Sequence, residues 1–74
     1  MADEERVTEI KAWFAQRGYE LWVHPVAHGG FFAPWMPVQK QGGNAPFTWG
    51  QTAVDAAEAA QAQFEQEQGR AGQP

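Results

Sequence analysis

The sequence predicts an α+β domain, in which a three-stranded antiparallel sheet carries two helices packed on one face in the order α-β-β-β-α. Three observations lead there. Apolar residues recur with a helical period near each end of the chain, they alternate with a period of two in the middle, and glycine and proline cluster where the chain must turn. At 74 residues only one domain fits, because a chain this short buries only about 60% of its unfolded surface. The expected domain spans about residues 1–68, with a disordered Gly/Pro tail at about 69–74.

The first helix is expected over about residues 4–17. Asp3, Glu4 and Glu5 place negative charge at the positive end of its dipole. Val7, Ile10 and Phe14 form an apolar stripe that Trp13 broadens. Arg17 followed by Gly18 is a stop signal: the cation suits the negative end of the helix, and glycine enters the left-handed conformation without a Cβ penalty.

From Tyr19 the period changes. Tyr19, Leu21 and Val23 fall on one face of a strand, and Glu20, Trp22 and His24 on the other. Pro25 has no N–H, so this strand ends there or lies at a sheet edge. Ala27-His28-Gly29-Gly30 reads as a turn. A second strand follows over about residues 31–36, where Pro34 is expected to mark a bulge or an unpaired edge.

Pro37 to Pro46 holds Gly42, Gly43 and Asn44 and reads as a long mobile loop. Phe47-Thr48-Trp49 makes a short third strand that Gly50 ends. Thr52 and Asp55 have the spacing of a capping box, each side chain placed to satisfy the other's backbone N–H. The second helix is expected over about residues 53–66, with Ala53, Val54, Ala57, Ala60 and Phe64 as a narrow stripe of mostly small residues. One shared core buries both stripes if the two helices lie side by side on the sheet.

Composition narrows the function classes. With no cysteine there is no disulfide framework or thiolate metal site, which suits a reducing cytoplasm. The acidic start lacks an apolar signal segment, and no run reaches membrane-spanning length. A net charge of −4 opposes binding to phosphate backbones or anionic lipid. The chain has neither serine nor cysteine for nucleophilic catalysis, and its middle holds no carboxylate pair, so no enzyme activity and no cofactor are expected. His24 and His28 lack a third ligand for a metal.

Between Glu20 and Asp55 the one charged side chain is Lys40. If both helices cover one face of the sheet, the alternation assigns Trp22 and His24 to the other, with Phe32 and one of Phe47 or Trp49. Trp22, His24, Phe32 and Trp49 are therefore the candidate partner-binding residues. Exposed contiguous aromatic surface marks contact sites, and tryptophan is enriched among the residues that dominate binding energy. The expected partner is another protein or a second copy of the chain, with Trp22 at the centre. If instead the tail or the Pro37 to Pro46 loop folds over this face, or twist draws these rings into a single core, no such patch exists. The rival class is nucleic-acid binding, with the rings stacking on bases.

The order helix, three strands, helix, with Ala56-Ala57 and Ala59-Ala60 in the second helix, resembles the double-stranded RNA-binding domain. That resemblance implies RNA contacts from the first helix, a loop between strands and the start of the second helix. Where that family places a basic cluster, this chain has Gln51-Thr52-Ala53-Val54-Asp55, which removes the cations that contact phosphates across the major groove. Gly29-Gly30-Phe31-Phe32-Ala33, Pro37 and Gly50-Gln51-Thr52 leading into an Ala-rich helix are similar to the N-terminal domain of HicB-type antitoxins. This second resemblance covers about residues 20–66 and implies binding of a small basic toxin protein. The N-terminal helix, Pro25 and Pro34 depart from its pattern.

Overall fold

The computed structural model describes residues 2–40 and 43–71. Helix α1 runs over Ala2–Gln16, strand β1 over Tyr19–Leu21, β2 over His24–Pro25, β3 over Phe31–Pro37, β4 over Phe47–Gly50 and helix α2 over Ala53–Ala71. The architecture is α+β, with two helices against one antiparallel sheet. That sheet has four strands where the sequence predicts three, and the extra one arises from a single proline.

Both β1 and β2 pair with the same edge of β3 in one unbroken register: Tyr19 faces Pro37, Leu21 faces Trp35, and His24 faces Phe32. No residue is inserted between them. Trp22 N–H donates to the Pro34 carbonyl at 3.0 Å, but Pro34 has no N–H to return to Trp22. One ladder bond is missing there, and the first strand is divided in two. The bulge or unpaired edge expected at Pro34 is not what the structure places there, because β3 is the central strand, paired with β1 and β2 on one side and with β4 on the other.

The remaining strand prolines follow the same hydrogen-bond logic. His24 faces Phe32 in the same alternation as Trp22 and Pro34, so the nitrogen of Pro25 points away from β3, toward the open edge. Trp35 N–H donates to the Pro46 carbonyl at 3.2 Å; Pro46 cannot reciprocate, and β4 begins one residue later.

Odd-numbered residues of the first strand and β3, and even-numbered residues of β4, face the helices. Leu21, Ala33 and Trp35 are buried with Ile10 and Phe14 of α1 and Ala56, Ala57, Ala60 and Phe64 of α2, in one cluster that Val7, Trp13, Tyr19, Val23 and Phe31 flank. Both helices therefore share one face of the sheet. The rings of this core meet mostly edge to face: Phe14 and Phe64 at 5.2 Å between centroids, Tyr19 and Phe64 at 4.8 Å, Trp13 and Phe64 at 5.4 Å. Such pairs contribute about 0.5–1.5 kcal/mol beyond the area they bury. Arg6 joins the helices from outside, its Nε 3.1 Å from Glu58.

Helix ends follow local chemistry. Gly18 takes φ +82° after α1. The Arg17 guanidinium lies 3.7 Å over the Trp13 ring and donates to the Trp13 carbonyl at 2.9 Å, so it covers the carbonyl end of the helix. At α2, Thr52 Oγ1 accepts the Asp55 N–H at 3.1 Å, which is one half of the expected capping box. The reciprocal bond to the Thr52 N–H is absent among the described residues. The second helix continues to Ala71, beyond the expected Gln66, through Glu67 and Gln68, both good helix formers, and on past Gly69. Of the expected tail, residues 72–74 lie outside the described residues, as do 41 and 42 of the loop between β3 and β4.

Candidate functional site

The face of the sheet turned away from the helices is built from the even-numbered residues of the first strand and β3, and from the odd-numbered residues of β4. Pairing sets them in rows across the three strand positions. His24, Phe32 and Trp49 form one row, because His24 faces Phe32 and Phe32 faces Trp49. Trp22, Pro34 and Phe47 form the next. Glu20 and Met36 follow at one end. The four residues singled out from the sequence, Trp22, His24, Phe32 and Trp49, thus lie on one face and in adjoining rows.

Phe47 belongs with them. Positions 47 and 49 differ by two, so in a strand they share a face, and parity alone makes the choice between them unnecessary. Pro34, the sixth member, escaped notice because its proline character pointed to an irregular edge. Phe47 and Trp49 are exposed, at 64% and 54%, as is His24, whereas Trp22, Phe32 and Pro34 are half-buried. The centre of accessible aromatic surface therefore lies on β4 rather than at Trp22.

These rings form a cluster separate from the core. His24 and Phe32 lie 5.2 Å apart between centroids, and Phe32 and Phe47 are edge to face at 6.3 Å. The core rings Trp13, Phe14, Tyr19, Trp35 and Phe64 touch one another on the opposite side of the sheet. No ring pair joins the two clusters among the described residues, so twist does not merge them into a single core.

Trp49 is held by the absence of a side chain. A Cβ built on Gly30 would lie 2.4 Å from Trp49 Cζ2 and 2.8 Å from its Nε1. The indole thus reaches diagonally past Phe32 to lie against the backbone at the base of the β2–β3 turn. That turn is closed by Gly29 N–H to Val26 O and by Val26 N–H to Gly30 O, both at 3.0 Å, and its two glycines take positive φ, 103° and 83°. Among the described residues no acceptor meets the Trp49 indole N–H.

Chemical groups other than rings are sparse. No Asp, Glu, Lys or Arg lies within the two aromatic rows. His28 is exposed in the turn, and no group of three or more potential metal ligands assembles among the described residues. A groove of about 390 Å³ beside the start of α1 has Val7, Val23, Phe31 and Ala53 as its apolar lining and Asp3, Glu4, Thr8 and Lys11 as its polar lining. No helix among the described residues is long and apolar enough to cross a membrane. Comparison with protein-family models, curated proteins and solved structures finds no match to this chain. The order of elements and the layering are compatible with a double-stranded RNA-binding arrangement, at the level of architecture alone.

Proposed function

We propose that this chain is a non-enzymatic interaction domain that binds another protein, or a second copy of itself, through the uncovered sheet face. One observation carries the reading: six ring-bearing side chains occupy adjoining rows, with Phe47 and Trp49 more than half exposed, on the side of the sheet that no helix covers. The core is already closed by Trp35, Phe14 and Phe64 on the other side, so these rings are not needed to complete it. Large exposed apolar patches on small domains are most often contact surfaces. A small basic protein, the partner class that the antitoxin resemblance implies, would be attracted by the net charge of −4.

Random dodecapeptides displayed on phage and selected against the wild-type chain test this reading, with sedimentation at increasing concentration to test self-association. Enriched peptides, or self-association, are expected to weaken at least tenfold in Phe47→Ala and Trp49→Ala variants that keep the wild-type circular dichroism spectrum. Binders indifferent to both substitutions, together with concentration-independent sedimentation, contradict it.

RNA binding is the second reading, supported by an order of elements that is loosely compatible with that family's. The start of α2 opposes it, because Thr52 there caps the helix and the neighbouring charge is that of Asp55. Labelled RNA and DNA titrated at low salt, where phosphate contacts are strongest, decide the matter: saturable binding would transfer the function to this class.

A further inference from the structure

We infer that two copies of the chain pair through the outer edges of β4, antiparallel about a two-fold axis at Thr48, so that their sheets join into one and their aromatic rows become continuous. The inference rests on the reading of the aromatic face as an interaction surface, and it commits to a second copy as the occupant of its β4 side.

The hydrogen-bond phase of β4 sets which groups are free. Trp35 N–H donates to the Pro46 carbonyl, so Pro46, Thr48 and Gly50 turn their backbone groups to β3, and Phe47 and Trp49 turn theirs outward. Among the described residues nothing takes up the N–H or the carbonyl of Phe47 or Trp49. The same two residues carry the exposed rings, at 64% and 54%. An open edge of this kind is a template for another strand, and folded proteins block it with proline, charge, a bulge or a covering element. The first strand is so blocked: Pro25 has no N–H to offer at its open edge, and α1 packs on β1, where Leu21 is only 4% exposed. Between Phe47 and Gly50, β4 has no proline, no charged residue and no break in its register with β3.

Symmetry then selects the register. The pairing that bonds both outward residues of both copies sets Phe47 opposite Trp49 of the second copy, and Thr48 opposite Thr48. Each Phe47–Trp49 pair exchanges two N–H···O bonds, and its two rings meet across the joint on the uncovered face, a favourable cross-strand pairing. No charge stands among these residues, so two chains of net charge −4 meet without a like-charge contact at the joint.

The helices leave room for it. Because α2 packs on both β4 and β3, its axis lies inward of the edge, between the two strands. Across the joint the two α2 axes stand about two strand spacings apart, about 9.6 Å, within the about 8–10 Å of packed helices. By helical period the side of α2 turned to that edge, away from Glu58 and its contact with Arg6, carries Ala59 and Gln63, neither of them charged. Pairing at the first strand, on which α1 packs, would bring two α1 axes to about 4.8 Å, too close for helices.

Cross-linking and hydrogen exchange on the full chain test the joint. Thr48→Cys introduces the one thiol of the chain, and at a non-hydrogen-bonded antiparallel pair the Cα atoms stand about 4.5 Å apart, within disulfide reach. In a glutathione redox buffer it should form a disulfide-linked dimer at least tenfold faster than Val38→Cys, although Val38, after β3, is 53% exposed and Thr48 is half-buried. Thr48→Cys also removes the bond to the Ala56 carbonyl, so the wild-type chain supplies a measurement independent of that change. Its Phe47 and Trp49 amides should exchange rapidly in dilute solution and gain at least tenfold protection at millimolar concentration, where sedimentation reads a dimer. Phe47→Lys should stay monomeric with the wild-type circular dichroism spectrum. A wild-type chain that stays monomeric overturns the inference, as does a dimer whose Phe47 and Trp49 amides stay unprotected. Val38→Cys linking as fast as Thr48→Cys overturns it equally. Phage-selected peptides that depend on Phe47 would then keep the face as a protein-binding surface; only their indifference to it removes the underlying reading.

Discussion

Adding one methyl group at Gly50 tests how closely the second helix is seated on the sheet. Gly50 ends β4 with no positive φ, so alanine meets no conformational barrier there. By backbone entropy alone, Gly50→Ala would stabilise the fold by about 0.4–1 kcal/mol. The built Cβ, however, lies 2.4 Å from the Ala56 nitrogen and 2.7 Å from the Asp55 carbonyl carbon, against an ordinary contact of 3.4–4 Å. The first turn of α2 must retreat by about 1 Å, and Ala56 and Ala57, both fully buried, retreat with it. Overpacking of this kind costs about 1–3 kcal/mol, and the upper end applies because backbone rather than a flexible side chain is struck. A domain of this size has about 4–11 kcal/mol of stability in total. Net of the entropic gain the loss is about 2–2.6 kcal/mol, and the melting temperature should fall by about 8–21 °C, at about 4–8 °C per kcal/mol. Thermal denaturation by circular dichroism reads this directly. Gly18→Ala is the control: φ there is +82° with nothing within 4 Å, so only the left-handed penalty of about 1–2 kcal/mol applies. A Gly50→Ala variant as stable as wild type, or more stable than Gly18→Ala, would refute the close seating of α2 on β4.

Three further outcomes follow from the same geometry. Trp35→Ala, at 2% exposure against Phe14, should cost about 3–5 kcal/mol in urea denaturation and leave much of the chain unfolded; a loss under 1 kcal/mol would show that Trp35 is not in the core. Thr52→Ala removes the bond to the Asp55 N–H and should cost about 1 kcal/mol, with Thr52→Ser close to wild type. Pro34→Val supplies the N–H that the Trp22 carbonyl lacks, so the amide at position 34 should be protected in hydrogen exchange while stability changes by no more than about 1 kcal/mol. Rapid exchange of that amide would contradict the register of the first strand with β3.

Much of this structure is legible in the chain because local and global preferences agree. Ile10 and Phe14 are buried where the helical period sets them, Gly18 ends the first helix in the left-handed conformation, and Tyr19, Leu21 and Val23 face the core as their parity requires. The same parity places Trp22 and His24 on the reverse face. Legibility fails where tertiary contacts override a local rule. A proline reads as an edge or a bulge, yet Pro34 lies in the central strand, where the fold tolerates one missing bond and splits the first strand in consequence. Gly50 reads as a strand breaker, but its lack of a side chain is what lets α2 approach. Ala56 is buried beside Ala57 although the expected stripe omitted it, since on an alanine-rich helix the sequence cannot say which small residues touch the sheet. Trp49 is pinned by Gly30, a contact between residues nineteen positions apart that only folding creates.

The separation of one set of rings from the other by the sheet can be measured on the isolated chain by hydroxyl-radical footprinting with residue-resolved mass spectrometry. Phe47 and Trp49, at 64% and 54% exposure, should oxidise fast, and Trp35 and Phe14, at 2% and 0%, should be protected until the chain unfolds. Equal labelling of Trp35 and Trp49 in the native chain, or protection of Phe47 and Trp49 together in the monomer, would contradict an uncovered aromatic face.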